Sequence, residues 1–362
     1  MALACPLSYR LGARALRKAP RIQCDTLFTA GGLYGNTWAL RALLARARQE
    51  EQRTQIVFNG DFHFLNCTPE WWHEISSEIR YGDVRGVPHA ATLGNVEAES
   101  AADSYEGCGC GYPSYTSSGV AERSDEIVAR LHDSAHRAQA PELLEWLRQL
   151  PLGMVAEVGP RRTRVGIVHG DPDSLAGWGL GVERQEPLDA PLRAQLGCGE
   201  ADITPRVRLL EWFRDADVAA LLSSHTCLPF GQGVYEDGTN GDAEPLVVFN
   251  NGSAGMPNFH GMRAGLMTRV SSDPTRPADS LYGVSSNGLR YDAIPVCYDH
   301  DAWLAAFRDL WPEGSAASTS YLNRILHGPQ FTVEQAARGG GVQVSHLVAL
   351  HRCFAGLRTE SA

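Results

Sequence analysis

A chain of 362 residues, 43% hydrophobic and 20% charged, is long enough and apolar enough to bury a large core in one or two domains. A net charge of -10 and a pI near 5.6 leave no basic stripe to offset phosphate repulsion, which argues against a nucleic-acid partner. No apolar run approaches the ~18 residues that span a bilayer, so no membrane partner is expected.

Residues 1–24 read as a basic leader, with Arg10, Arg14, Arg17, Lys18 and Arg21 and without the basic-then-apolar order of a secretory signal. Nine cysteines, an odd number scattered apart from Cys108 and Cys110, fit free thiols in a reducing cytosol better than a disulfide scaffold. A cytoplasmic protein is the expectation. Asp25–Ala30 reads as the first strand. It runs into the glycine turn Gly31–Asn36 and a helix with Leu40, Leu43, Leu44 and Ala47 on one face, the opening of an α/β unit. The turn is neither G-x-G-x-x-G nor a P-loop, so a nucleotide-binding reading is weak, and Asn36 can equally be an N-cap.

The next apolar run, Ile56–Phe58, ends abruptly in Asn59 and Gly60, with Asp61 following and His63 two residues on. In a parallel sheet that turn puts Asp61 at the carboxyl end of a buried strand, where ligands bind. Pro69–Glu78 reads as a short helix whose Trp71 and Trp72 suit core packing. Ala90–Leu93 reads as a third strand, stopping at Gly94–Glu97. The aromatic, glycine-rich stretch Tyr105–Tyr115 is a loop, and its Cys108 and Cys110 are either a metal-binding or redox-sensitive lid or plain thiols in a turn. Helices follow at Glu122–Arg137, where His132 and His136 suit a solvated face, and at Pro141–Leu150. A hairpin, Val155–Val158 and Thr163–Val168, ends in His169–Asp171. Strands Val218–Leu222 and Leu246–Phe249 end in Ser223–Cys227 and Asn250–Gly255. An α/β domain over 25–298 results. Beyond Asp299 the stretches Ala302–Leu310, Ser318–Leu326, Val333–Ala337 and Val344–Phe354 suit a helical C-terminal extension over 299–362.

Successive strands thus end in Gly31–Asn36, Asn59–His63, Gly94–Glu97, His169–Asp171 and Ser223–Cys227. Asn-Gly and Gly-Asn are common turns, and a lone His is usually structural. Oxygen and imidazole donors recurring at the same end of strand after strand are how an α/β scaffold builds a metal site.

This order resembles the calcineurin-like metallophosphoesterases, whose blocks are D-x-H, G-D-x-x-D, G-N-H-E, a His-Gly step and G-H-x-H. Gly60-Asp61 matches the second block, Gly94-Asn95 the third, His169-Gly170 the fourth and His225 the first histidine of the fifth. Asn251–Gly255 looks like the family's N-P-G-S segment. The resemblance spans residues 25 to 260 and implies a four-layer αββα sandwich of the metallophosphoesterase type. It also implies one divalent metal (Mn, Zn or Fe) on Asp61, Asn95, His169 and His225. The chain departs from the family at the other metal: the first-block Asp and His become Gly32 and Tyr34, and the last His becomes Cys227. The histidine acid beside Asn95 becomes Val96, although Glu97 keeps its place.

The resemblance therefore implies hydrolysis of a phosphate mono- or diester, of a small molecule given the acidic charge balance, and Asp61 and His63 are the expected catalytic residues. His63 is the expected replacement acid, and Cys227 is a ligand of a rewired second ion. The alternative is a catalytically inactive metal- or ligand-binding module on the same fold.

Overall fold

The computed structural model describes residues 7–66, 68–82, 87–236 and 244–345. In chain order the first half runs β1 (Arg21–Cys24), β2 (Thr26–Ala30), α1 (Thr37–Ala47), β3 (Thr54–Asn59), α2 (Pro69–Tyr81), β4 (His89–Thr92), α3 (Asn95–Ser100), α4 (Ser118–Arg137) and α5 (Pro141–Arg148). Then come β5 (Gly153–Val158), β6 (Thr163–Val168), α6 (Ala190–Leu196), α7 (Arg206–Ala216), β7 (Ala220–Ser223), β8 (Phe230–Val234), β9 (Leu246–Asn250) and β10 (Gly265–Ser271). The last part holds β11 (Tyr282–Ser286), β12 (Leu289–Val296), α8 (His300–Leu310), α9 (Ala316–His327), α10 (Val333–Ala336), β13 (Ala337–Arg338) and β14 (Gln343–Val344).

Alternation along the buried strands decides the layering. Side chains point to opposite faces with period two, so Leu27 and Val57 enter one apolar core while Phe28, Ile56 and Phe58 enter another. The strands form two seven-stranded sheets, ordered β1-β5-β6-β7-β9-β8-β13 and β14-β11-β12-β10-β2-β3-β4. Phe249 of β9 stacks on Tyr282 and Tyr291 of the other sheet, with ring centroids 5.6 and 6.4 Å apart. The outer face of the second sheet is covered by α1, through Leu40, Leu43 and Leu44, and by α2, through Trp72, Ile75 and Ile79. Leu209, Trp212 and Phe213 of α7 belong to the core of the first sheet. Helix, sheet, sheet, helix is the expected αββα sandwich. Among the described residues no helix is long and apolar enough to cross a membrane.

The first and last described segments are woven into these sheets. Residues 7–24, expected as a leader, bury Leu16 completely, and β1 pairs in parallel with β5. At the other end β13 pairs with β8 and β14 with β11, so this segment extends both sheets. Glycines permit the first contact: a Cβ on Gly233 would lie 2.1 Å from the carbonyl oxygen of Gly340. Trp311, at the end of α8, is buried and donates to Leu65 O at 2.8 Å. Val344, expected to begin a helix, is in β14, and the rest of that stretch from 346 lies outside the described residues.

Asn59 ties the two sheets together at the end that carries the site. Its Nδ2 donates to Val168 O and Ser224 Oγ, both at 2.8 Å, while its Oδ1 accepts from Thr92 Oγ1 at 2.7 Å. The side chain is wholly buried and every one of these groups is satisfied. Asn59→Ala unpairs three buried partners and is expected to lower stability by about 3 kcal/mol. Denaturant unfolding measures this, and a loss below about 1 kcal/mol would contradict the role given to this amide.

Candidate metal centre

The loops at the carboxyl ends of the parallel strands β2, β3, β4, β6 and β7 converge at the junction of the two sheets. After β3 the chain turns through Gly60 and Asp61, both in the left-handed region at φ 77° and 60°. A Cβ on Gly60 would lie 2.5 Å from His169 Nδ1 and 2.6 Å from Gly94 Cα, so only glycine fits. The unusual φ of Asp61 is held by Glu97, whose two carboxylate oxygens each accept one backbone N–H, from Asp61 and Phe62, at 2.7 Å. Burial and the nearby Asp61 charge push Glu97 up to about 8.

Asp61, His169 and His225 bring their ligand atoms within 4.8 Å of one another. His169 Nε2 is 3.3 Å from Asp61 Oδ1, 3.2 Å from Asn95 Oδ1 and 3.3 Å from His225 Nδ1. The outward atoms are all anchored to backbone carbonyls. His169 Nδ1 donates to Asn59 O at 2.8 Å, His225 Nε2 to Cys110 O at 2.9 Å and Asn95 Nδ2 to Cys108 O at 3.0 Å. These bonds assign the ring protons to the far nitrogens, so two imidazole lone pairs, an amide oxygen and a carboxylate oxygen face one point. Asp61 Oδ1 is buried without a hydrogen-bond donor. Four converging acceptors, one of them an orphaned carboxylate oxygen, fit a cation. The mixed nitrogen and oxygen set suits Mn, Zn or Fe.

Electrostatics point the same way. Burial works to raise Asp61, but the adjacent His169 and His225 outweigh it and hold the carboxyl below its ordinary value. Burial works to lower His169, but the adjacent Asp61 carboxylate leaves it raised. Burial and the neighbouring His169 hold His225 down to about 4, so it is neutral at physiological pH.

The remaining expected site residues fall elsewhere. His63 is wholly buried away from the cluster, stacked on Trp72 at 5.7 Å, with Nε2 2.9 Å from Ser76 Oγ. Burial holds it down to about 3. The reversal at Asp61 sends this side chain into the helical layer, which removes it as the catalytic acid. Trp71 packs against Trp38 and Trp303, and His132 and His136 both lie 3.0 Å from Ala102 O. Cys108 and Cys110 are joined by a disulfide rather than free.

Cys227 is outside the three-residue cluster. Its Sγ lies 2.6 Å from the Tyr34 hydroxyl. The Tyr34 ring covers Gly32: a Cβ there would meet Tyr34 Cε2 at 2.6 Å. Gly32, Tyr34 and Cys227 thus pack as one group, with the tyrosine hydroxyl and the thiol hydrogen-bonded. Burial keeps both groups protonated, raising the Tyr34 hydroxyl and the Cys227 thiol.

Above the cluster opens a cavity of about 450 Å³ with Asp61, Asn95 and His225 at its base. Its walls include Phe64, Tyr112, Trp178, Tyr321 and Phe331, and Arg324 also lines it. Trp178 stands edge-on to His225 at 5.3 Å and donates to Cys110 O at 3.1 Å. The Tyr105–Tyr115 loop carried an aromatic signal in sequence; Arg324 carried none.

Comparison with solved structures gives the architecture a context. The chain aligns with a metallophosphoesterase from Sphaerobacter thermophilus at 16% identity, covering 84% of this chain and 100% of that one with a TM-score of 0.50. The chain has the calcineurin-like metallophosphoesterase fold. A hypothetical protein, PH1004 from Pyrococcus horikoshii OT3, aligns at 16% identity with a TM-score of 0.51, covering 85% of this chain and all 100% of its own. No protein-family model matches this sequence, and no curated protein matches it.

Two outcomes are expected at this candidate metal centre. His169 must lose its proton to act as a ligand, and its raised pKa makes protons compete from above the ordinary value of 6.5 downward. Metal affinity by titration calorimetry should therefore fall about tenfold per pH unit below that pKa, and a flat profile would contradict the ligand assignment. Gly32→Asp alone should destabilise, whereas Gly32→Asp with Tyr34→His and Cys227→His removes the ring and restores three ligands. Elemental analysis should then find about two metal equivalents instead of about one.

Proposed function

We propose that this protein is a metal-dependent phosphoesterase acting on a small-molecule phosphate ester. The observation that carries the reading is the convergence of Asp61, Asn95, His169 and His225, three of which, Asp61, Asn95 and His225, line one cavity. A divalent ion held by these four groups supplies Lewis acidity toward a phosphoryl oxygen and lowers the pKa of its water towards ~7.

The chain's own residues do the rest. Asn59 and the Cys108 and Cys110 carbonyls orient the donors, and Glu97 fixes the Asp61 turn. The aromatic walls exclude water and accept an apolar alcohol group. Val96 stands where the family has a proton donor, and His63 is packed against Trp72. With valine at 96 and His63 packed away, the favoured esters are those whose alcohol departs as a stable anion.

The pairing of Tyr34 with Cys227 favours a second reading, a module that binds metal or ligand without turnover. Metal content measured beside hydrolysis of aryl and alkyl phosphates separates the two. We expect about one equivalent of metal, lost in His169→Ala and His225→Ala with a fall in kcat/KM of at least about 100-fold, and aryl esters cleaved at least about 100-fold faster than alkyl esters. Metal without turnover of any ester favours the module, and absence of metal under all conditions sinks both.

A further inference from the structure

Arg324 sits on α9, in the part of the chain where no strand end predicts a site, yet it lines the same cavity as Asp61 and His225. Its Nε donates to Pro257 O at 3.0 Å and its Nη2 to Cys227 O at 3.2 Å. Those two bonds fix the guanidinium beside the tyrosine–cysteine pair that stands where the family has ligands of its other metal. The Tyr34 hydroxyl and the Cys227 thiol both feel the negative charge of Asp61 and the positive charge of Arg324.

Among the described residues no carboxylate pairs with Arg324; besides the two carbonyls it meets the side chain of Cys227, whose thiol burial keeps neutral. Glu183, the other carboxylate lining the cavity, is engaged by the Tyr115 hydroxyl at 2.7 Å. A half-buried guanidinium facing an aromatic cavity without an anion is a built anion site, because burying an unpaired charge is costly. Guanidinium donors also match the oxygens of a phosphate.

We propose that Arg324 binds a phosphoryl oxygen of the substrate, supplying the positive charge that the filled second-metal position has lost. This rests on the phosphoesterase reading of the site. Arginine cannot activate water, since it stays protonated, so its share is binding and neutralising charge as the phosphoryl group reacts. The substitution of a metal by a side chain then explains why a tyrosine and a cysteine can occupy that position without leaving the phosphate half-neutralised.

The test uses the full chain loaded with metal and inorganic phosphate as the probe, with calorimetry for affinity and elemental analysis for metal. Arg324→Gln keeps an amide donor for the neighbouring carbonyls but removes the charge. It should raise the phosphate Kd and the KM for 4-nitrophenyl phosphate at least about tenfold while metal content stays unchanged, and Arg324→Lys should recover part of the loss. A Kd within about twofold of wild type in Arg324→Gln, or no phosphate binding by the metal-loaded wild type, overturns the assignment. Should Arg324→Gln not fold, Arg324→Lys is decisive: loss of the two-pronged fork should weaken phosphate at least about threefold, and an unchanged Kd overturns the proposal. Arg324-dependent phosphate binding without turnover of any ester leaves this assignment standing and removes the hydrolase. Turnover and binding unaffected by Arg324→Gln do the reverse.

Discussion

The buried amide of Asn59 fixes how the ends of the two sheets meet. From the end of β3 it bonds Val168, at the end of β6, and Ser224, just past β7, and its own carbonyl accepts from His169. The candidate ligands are divided across that seam: Asp61 and Asn95 follow strands of one sheet, His169 and His225 strands of the other. A slip between sheets would separate them, so the metal centre is a property of sheet registry more than of any single loop. The same seam explains the glycines at 60 and 94, whose missing Cβ atoms let two loops and an imidazole touch.

The altered half of the centre obeys ordinary packing rules. An aspartate at 32 without its metal would put a second buried carboxylate beside Asp61, which low dielectric penalises. Glycine removes the charge, and the Tyr34 ring takes the vacated space, so no void is left. The phenol then finds a partner in Cys227, as a buried hydroxyl requires. Three substitutions that look independent along the chain are one neutral, filled replacement in space. Their positive complement comes from Arg324, contributed by a helix beyond the sheet-forming part of the sequence.

His63 shows where reading along the chain fails. Two residues from Asp61 in an extended strand, it would share Asp61's face. The left-handed turn at Gly60 and Asp61 breaks that rule, and His63 ends beneath α2 on Trp72 and Ser76. Likewise β8, with two glycines in five residues, has no strand signature, because its partners are the backbones of β9 and β13 rather than its own side chains. The disulfide of Cys108 and Cys110 and the carbonyls they aim at Asn95 and His225 were equally invisible, since backbone acceptors leave no mark on residue type.

The sequence by itself determined an α/β chain, through apolar runs of β-branched residues and amphipathic helices, with polar residues repeated at strand ends, and its resemblance to the metallophosphoesterase blocks singled out Asp61, Asn95, His169 and His225. Those signals are local, written in periodicity and in the turn chemistry of glycine and asparagine. Only the tertiary structure decided that His63 packs on Trp72, that Tyr34 and Cys227 pair with each other, and that Arg324 joins the cavity. Each depends on contacts between distant segments, such as the 97-residue separation between Cys227 and Arg324, and no local pattern encodes what a side chain meets across a packed interface.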